Sequence, residues 1–195
     1  MALMMSAAMA LATALAMSWA PPVWAHGKHA AVSEAVSTIV GPIPDVPMQD
    51  RRGNAIGLAD AIGNRARVIT FTYTRCETLC PVVVPIAADI VRALNAQGRP
   101  TRLVVLTVDP DNDGVAELAA HADALGADEH DLYLTGRPGE VRRALHYFGI
   151  TSRTPEDHPP LILTRAAGGG PIIRIVVGDR TTSERIRALM LASGK

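Results

Sequence analysis

Apolar runs alternate with helix-like patterns along most of this chain, and each change of period marks a predicted element. Residues 67–73 are β-branched and aromatic, which predicts a strand. The nearly continuous apolar run 102–108 favours a strand buried on both faces of a sheet. Between them, apolar residues recur at i, i+4, i+7 and i+8 from Ile86, so 81–97 is predicted as an amphipathic helix that Pro81 opens.

The same alternation continues towards the C-terminal end. It predicts a helix at 115–125, a short strand at 131–134 and a helix at 138–148. A hairpin around a triple glycine follows, with strands at 161–164 and 172–177, and the last helix is predicted at 181–192. Helices therefore separate the first three strands, and the hairpin and the last helix follow. This order predicts an α/β fold, a sandwich with a central mixed β-sheet flanked by helices, in which parallel strands come first and an antiparallel pair last.

The N-terminal segment differs from the rest of the chain. Residues 1–25 carry no charged side chain, which predicts a secretory signal peptide cleaved after Ala25, or an uncleaved membrane anchor. Residues 26–39 are predicted as a flexible lead-in, within a proline-containing stretch 26–50 that favours extended chain, and 40–195 as one domain. Export would place that domain in an oxidising compartment, where thiols tend to be oxidised, so the presence of two cysteines calls for a structural or functional explanation.

Charge narrows the set of partners. Lys and Arg total 19 and Asp and Glu total 19, so the formal net charge is zero. No global field then draws the protein to nucleic acid or to anionic lipid. We therefore expect no nucleic-acid partner, and contact with a membrane only through the N-terminal segment.

The only two cysteines, Cys76 and Cys80, lie between the 67–73 strand and the helix that Pro81 opens. The carboxyl end of a parallel strand is where open sheets place their functional sites. A structural disulfide here would close a loop of five residues, which the loop-entropy model values at about 2 kcal/mol, so it would be a weak staple. A helix N-terminus lowers the pKa of a thiol, so the pattern favours a reactive pair that can bind a soft metal.

Two thiolates are too few for a closed zinc or iron–sulfur site, which takes four ligands. Soft sulfur selects Cu(I), and an added imidazole also accommodates Cu(II). His158, in the proline-rich loop 155–160 just ahead of a predicted strand, is the candidate third ligand. The alternative is an ordinary solvated loop histidine.

Five motifs occur in a characteristic order: Tyr-Thr-Arg-Cys at 73–76, Cys-Pro at 80–81, Val-Asp-Pro at 108–110, Tyr-Phe-Gly-Ile at 147–150 and Asp-His at 157–158. Together they resemble the Sco (SenC) family over about residues 40–193. The resemblance implies a thioredoxin-like fold. The chain departs from the family pattern at Glu77, where proline is common, and at Pro159 and Pro160, which replace Ser or Thr.

The resemblance also implies the copper ligands, which carry over as Cys76, Cys80 and His158. Asp109 matches the acidic residue of the family's Val-Asp-Pro segment, which lies near the metal site, and Asp157 is a candidate for orienting a ligand. The protein is then expected to be a metal-binding chaperone, with one copper ion per chain as Cu(I) or Cu(II). It would lie in the periplasm, free or anchored to the inner membrane.

The implied recipient is the cytochrome c oxidase subunit that carries the CuA site, or another periplasmic cuproprotein. A thiol-reducing partner would keep the cysteines ready for copper. The alternative is a thiol–disulfide oxidoreductase of the same fold, in which Cys76 and Cys80 are a catalytic redox pair acting on cysteines of a respiratory or other exported protein. That enzyme would not need His158 as a metal ligand.

Other patterns carry less weight. The acidic run 109–114 matches the first half of an EF-hand loop but has Ala120 where the bidentate Glu should be, so Asp113 is better interpreted as a helix N-cap. The triple glycine at 168–170 lacks the Lys-Ser/Thr of a phosphate loop. The remaining body histidines with charged neighbours are expected to be solvated: His121, His130 and His146.

Overall fold

Residues 36–178, 186–188 and 190 are described by this computed structural model, and they form one eight-stranded mixed sheet with helices on both faces. The strands are β1 (Val36–Ile39), β2 (Pro47–Asp50), β3 (Ala55–Gly57), β4 (Ala66–Thr72), β5 (Thr101–Thr107), β6 (Leu132–Thr135), β7 (Leu161–Arg165) and β8 (Ile172–Val176). The helices are α1 (Leu58–Ile62), α2 (Cys80–Ala96), α3 (Val115–Ala124) and α4 (Pro138–Tyr147), with a 3₁₀ turn at Pro155–Asp157.

The strand order across the sheet is β1-β8-β7-β4-β5-β6-β2-β3. Strands β4, β5 and β6 are parallel, whereas β7 runs antiparallel to β4 and pairs with β8 as a hairpin. The predicted α/β sandwich with a mixed sheet is therefore confirmed. The β4–β5 register runs from Ala66 opposite Thr101 to Thr72 opposite Thr107, so both strands end side by side. The loops that follow them, which carry the cysteines and Asp109, consequently start from neighbouring points.

Two apolar clusters cover the two faces of the sheet. One contains Phe71, Leu106 and Phe148, and the other contains both cysteines and the buried face of α2. That face of α2 repeats with helical spacing, as its apolar pattern predicts, and comprises Val83, Val84, Ala87, Ile90, Val91 and Leu94. The buried α2 face fixes the helix against β4 and β5, and with it the helix start at the cysteines.

The lead-in prediction needs a correction. Residues 36–39 are not a flexible lead-in, because Val36 to Ile39 form a strand paired with β8. Within the stretch expected to be merely extended, Pro47–Asp50 pairs with both β3 and β6. Pro47 is the first residue of its strand, a position where the missing N–H is tolerated. The sheet therefore begins before residue 40.

Two predictions fall wholly or partly outside the described residues. The signal peptide or anchor at 1–25 is one of them. Of the predicted helix 181–192, residues 186–188 and 190 are helical, with Ile186 and Met190 buried against the α2 side of the sheet. Within the described ranges, the helices are too short or too polar to cross a bilayer.

Candidate metal and thiol site

The cysteines sit at the carboxyl end of β4, where a turn leads into α2. The backbone amide of Cys76 donates to the carbonyl of Tyr73 at 3.1 Å, and α2 begins at Cys80, with Pro81 in its first turn. Cys76 and Cys80 are joined as a disulfide, with Cα atoms 5.8 Å apart. Both residues are buried in the apolar cluster of α2.

The start of α2 points a donor at the sulfur of Cys76. The backbone N–H of Cys80 donates to Cys76 Sγ at 3.2 Å. The first amides of a helix have no carbonyl partner in their own helix and carry the positive end of its dipole, so they stabilise a thiolate. When the disulfide is opened, Cys76 therefore lies where negative charge on sulfur is favoured.

Two apolar side chains beside the cysteines remain exposed. Leu79 is 41% and Val82 55% exposed, although they flank the buried Cys80. Glu77 and Thr78, inside the cysteine loop, are exposed as well. Leu79 in the loop and Val82 in the first turn of α2 are therefore exposed apolar side chains close in sequence to cysteines that are themselves buried.

His158 lies directly after the 3₁₀ turn and is 6% exposed. It shares a small pocket with Cys80, and the pocket is completed by Phe71, Leu79, Val83, Pro160 and Leu161. The ring of Tyr73 packs edge-on against the imidazole with centroids 6.0 Å apart. The solvated alternative is thus replaced by a buried histidine that lines the same pocket as Cys80.

The ring of His158 is suited to act as a ligand. Its Nδ1 atom is buried and has no hydrogen-bond partner among the described residues. Burial lowers the pKa of His158 below its ordinary value, with Glu156 opposing that shift, so the neutral imidazole is favoured. A neutral ring with a buried, unpaired nitrogen is the form that binds a metal ion.

In the described ranges, no group of three His, Cys, Asp or Glu side chains is gathered in a metal-binding arrangement, and the two cysteines are in their oxidised form. The three-ligand set of Cys76, Cys80 and His158 therefore stays a prediction. What the structure contributes is the shared pocket of Cys80 and His158, and the unpaired Nδ1 within it.

Asp109 is linked to the cysteine loop through Arg75. Its buried carboxylate accepts hydrogen bonds from Arg75 Nη2 at 2.7 Å and from Asn112 Nδ2 at 2.9 Å. Because Arg75 directly precedes Cys76, this pair connects the loop after β5 to the loop that holds the sulfurs. Asp109 is therefore placed to position the cysteine loop.

Asp113 is the residue whose role the sequence interpretation missed. Gly114, not Asp113, is the N-cap of α3, so the N-cap prediction is wrong. Its fully buried carboxylate accepts from Thr107 Oγ1 at 2.5 Å, Thr74 Oγ1 at 2.6 Å and the Thr74 amide at 3.2 Å. The backbone oxygen of Asp113 accepts from Thr135 Oγ1 at 2.6 Å. One residue thus joins the ends of β4, β5 and β6. The sequence feature that could have indicated this role is the threonine at or just after the end of each of the three apolar runs.

The remaining candidates are Asp157 and three further histidines. Asp157 is exposed, and its carboxylate accepts from Thr154 Oγ1 at 2.9 Å, so its role in orienting a ligand stays a prediction. His121 is not solvated as expected: it is half-buried, and its Nε2 is 2.8 Å from Thr72 Oγ1. Burial lowers the pKa of His121, against the opposing effect of Asp113. His130 and His146 are exposed, as predicted.

The sequence of this chain is similar to those of one protein family. The family model described as SCO1/SenC matches residues 47–163. The SCO1 protein homolog of Bacillus subtilis is 29% identical over 118 residues, which cover 58% of this chain and 60% of that relative. The chain thus spans less than two thirds of that relative's length.

Solved structures show the same fold. Arabidopsis thaliana ScoI, solved with copper bound, superimposes with a TM-score of 0.67 at 14% identity, over 78% of this chain and 98% of that one. BsSco, described as a member of the Sco family of cytochrome c oxidase assembly proteins with a disulfide switch, gives a TM-score of 0.67 at 21% identity, over 80% and 95%. These similarities confirm the predicted thioredoxin-like fold.

Proposed function

Because the chain belongs to the SCO1/SenC family, we propose that it is a periplasmic copper metallochaperone whose ligands are Cys76, Cys80 and His158. One observation carries the proposal. Cys80, which is at disulfide distance from Cys76, shares a pocket with a buried imidazole whose Nδ1 has no partner among the described residues. A buried polar atom left unpaired is costly, and a metal ion bound there would satisfy it.

The donor set fits copper as cargo. Two thiolates select Cu(I), and the imidazole of His158 lets the same site accept Cu(II). Binding requires the reduced form, so a thiol-reducing partner must first supply two electrons and two protons to the disulfide. The thiols then release their protons as they bind copper, so copper affinity rises with pH.

Delivery follows from the low coordination number. A copper ion held by two sulfurs and one nitrogen can be passed by ligand exchange to a partner that offers more thiolates. The proposed recipient is the CuA-bearing subunit of cytochrome c oxidase, or another periplasmic cuproprotein. The description of BsSco as belonging to a family of oxidase assembly proteins supports this choice. The exposed Leu79 and Val82 give such a partner an apolar surface beside the ligands.

The location is proposed from the N-terminal sequence. Residues 1–25 have the apolar, uncharged character of an export signal, which would place the domain in the periplasm, free or anchored to the inner membrane. An oxidising compartment also accounts for the disulfide form of the two cysteines.

A second function is favoured by the same disulfide. The protein could act as a thiol–disulfide oxidoreductase, in which one cysteine thiolate attacks a partner disulfide and the second cysteine resolves the mixed disulfide. The partner would be reduced by two electrons as the Cys76–Cys80 bond re-forms. The amide of Cys80 aimed at Cys76 Sγ supports this role, because it stabilises Cys76 as the leaving or attacking thiolate. This reaction has no need of the His158 nitrogen.

The test is a copper titration of the reduced full chain, with X-ray absorption to count sulfur and nitrogen ligands. We expect one Cu(I) per chain, with binding strongly weakened by Cys80→Ser and by His158→Ala. His146→Ala is the matched control, because that histidine is exposed on α4. Stoichiometric Cu(I) binding that Cys80→Ser leaves unchanged would refute the metallochaperone.

The same variants separate the two functions. If copper delivery is the role, His158→Ala abolishes delivery while the reduction potential of the cysteine pair stays the same. If the oxidoreductase is the role, His158→Ala leaves reduction of partner disulfides intact.

A further inference from the structure

Three arginines stand side by side across the middle of the sheet, at the end opposite the cysteines. Arg67, near the start of β4, is paired in register with Arg102 on β5 and with Arg165 on β7. Adjacent strands lie about 4.8 Å apart, so three positive charges occupy neighbouring positions of one row. Like charges placed directly opposite each other destabilise a sheet. This arginine row (Arg165, Arg67 and Arg102) therefore needs a compensating interaction.

The protein itself provides no acidic partner for the row in the described part of the chain. Arg67 is only 5% exposed, and its Nε and Nη1 donate to the carbonyls of Ala61 and Ala66 at 2.8 Å and 3.0 Å. Carbonyls satisfy these donors but leave the positive charge uncompensated. Arg165 has two buried atoms, Nε and Nη1, for which the described residues offer no hydrogen-bond partner. No ion pair among the described residues includes a member of the row.

The electrostatic cost is concentrated on the central arginine. Burial, and then the charges of Arg102 and Arg65, lower the pKa of Arg67 to about 10. The ordinary pKa of an arginine guanidinium is well above this value. Desolvation and repulsion by the neighbouring arginines therefore both destabilise the charged form of Arg67. The Coulombic attraction of an anion close to Arg67 would offset both.

A pocket of about 280 Å³ is lined by two members of the row, Arg67 and Arg102, by Arg65, and by residues of α2. Arg92 also lines it but is ion-paired with Asp89. The acidic lining residues are Asp128 and Asp131, and each already accepts a hydrogen bond from the backbone of their own turn. Arg65, Arg67 and Arg102, which form no ion pair among the described residues, therefore line the pocket together with two aspartates.

We propose that this pocket binds a small phosphate-type anion with two or more negative charges, held by Arg65, Arg67 and Arg102. Guanidinium groups present paired N–H donors that match the oxygens of phosphate, and several of them favour a ligand with more than one negative charge. The volume is just below the usual range for small-molecule sites, about 300–1,000 Å³, so the ligand is compact. Free phosphate or pyrophosphate and the head group of phosphatidic acid share this chemistry. The site lies at the far end of the strands and does not depend on the thiols.

The first test is calorimetric titration of the full chain with inorganic pyrophosphate at constant ionic strength. We expect saturable one-to-one binding that Arg65→Gln/Arg102→Gln weakens at least tenfold. Arg67 is left unchanged, because its donors hold backbone carbonyls. Arg137→Gln/Arg153→Gln is the matched control, since it removes the same charge from exposed positions outside this pocket and should leave binding unchanged.

The second test distinguishes the two sources of phosphate. Vesicles containing phosphatidic acid are compared with phosphatidylcholine vesicles in a sedimentation assay, using the same variants. Binding of pyrophosphate or of phosphatidic acid vesicles that depends on Arg65 and Arg102, but not on the control pair, supports the site and identifies its source.

A melting measurement covers the case in which the variant is less stable. Ligand that binds the folded state raises Tm, so pyrophosphate should raise the Tm of the unmodified chain more than that of Arg65→Gln/Arg102→Gln. Binding of neither probe, an equal loss in the control pair, or an equal rise in Tm would overturn the proposal.

Discussion

Replacing Asp113 should lower the free energy of unfolding, because this residue holds together the strand ends beneath the candidate site. Its carboxylate is the shared acceptor for two threonine hydroxyls and one backbone amide, from Thr74 and Thr107, and none of it is exposed. Asp113→Ala removes all three acceptor contacts and leaves the donors without a partner. Asp113→Asn keeps the shape but exchanges one acceptor oxygen for a donor.

The size of the effect follows from these contacts. A hydrogen bond to a charged group contributes about 1.5–3 kcal/mol, and a buried donor left unpaired costs about 1–3 kcal/mol. Because a threonine hydroxyl can rotate to another acceptor, we expect Asp113→Ala to lower the free energy of unfolding by about 3–5 kcal/mol, rather than by the full sum. Asp113→Asn should cost about 1–2 kcal/mol, because the new amide can donate to the oxygen of Thr107.

The assay is urea denaturation followed by circular dichroism, since both tryptophans lie within residues 1–25 and their fluorescence would not report on the domain. Asp111→Ala is the control. Its carboxylate is 62% exposed and pairs with Arg142 at 3.0 Å, so its loss should cost less than about 1 kcal/mol. If Asp113→Ala were no more destabilising than Asp111→Ala at equal m-value, the buried carboxylate would not support the strand ends.

Three further predictions concern His121, the disulfide and Arg75. Burial lowers the pKa of His121, so the unfolded state binds more protons and stability should fall as pH drops below about 6.5. His121→Gln should reduce that slope in urea denaturation at pH 5 and pH 7.5. Reducing the Cys76–Cys80 disulfide should lower the free energy of unfolding by about 2 kcal/mol, measured with and without a thiol reductant, and a larger loss would show that the bond does more than close its short loop. Arg75→Ala breaks the pair with Asp109, but Arg75 is 62% exposed, so it should cost less than about 1 kcal/mol of stability. It should nevertheless speed amide exchange at Cys76, and unchanged exchange would contradict the positioning role of Asp109.

The central elements could be predicted because their signals are local. The continuous apolar run of β5 and the helical repeat of α2 each report burial directly, and the structure confirms both. Strand β2 has no such pattern: Met48 is its only fully buried residue, and a proline begins it. It is a strand because β3 and β6 pair with it on either side, which its four residues do not encode.

The same distinction applies to the site. The position of Cys76 and Cys80, after a strand and at a helix start, follows from neighbouring sequence. The burial of His158 does not, because its own segment consists of prolines and acids, and the apolar cover comes from Phe71 and Val83 on distant elements. Asp113 was interpreted as a cap because capping is a local rule. Its actual donors become neighbours only through the β4–β5 register.

The supports of the cysteine loop do not depend on the disulfide. Thr74, two residues before Cys76, is held by Asp113, and Arg75 is held by Asp109. On the other side of the loop, Cys80 belongs to α2, whose buried face fixes it against the sheet. None of these contacts involves the S–S bond, so we expect both sulfurs to stay at the helix start when it is opened, with Cys80 lining the pocket of His158. A site that keeps its donors in place in both redox states would exchange two electrons with a thiol partner and then accept copper without refolding, so the two proposed functions would be compatible in one chain.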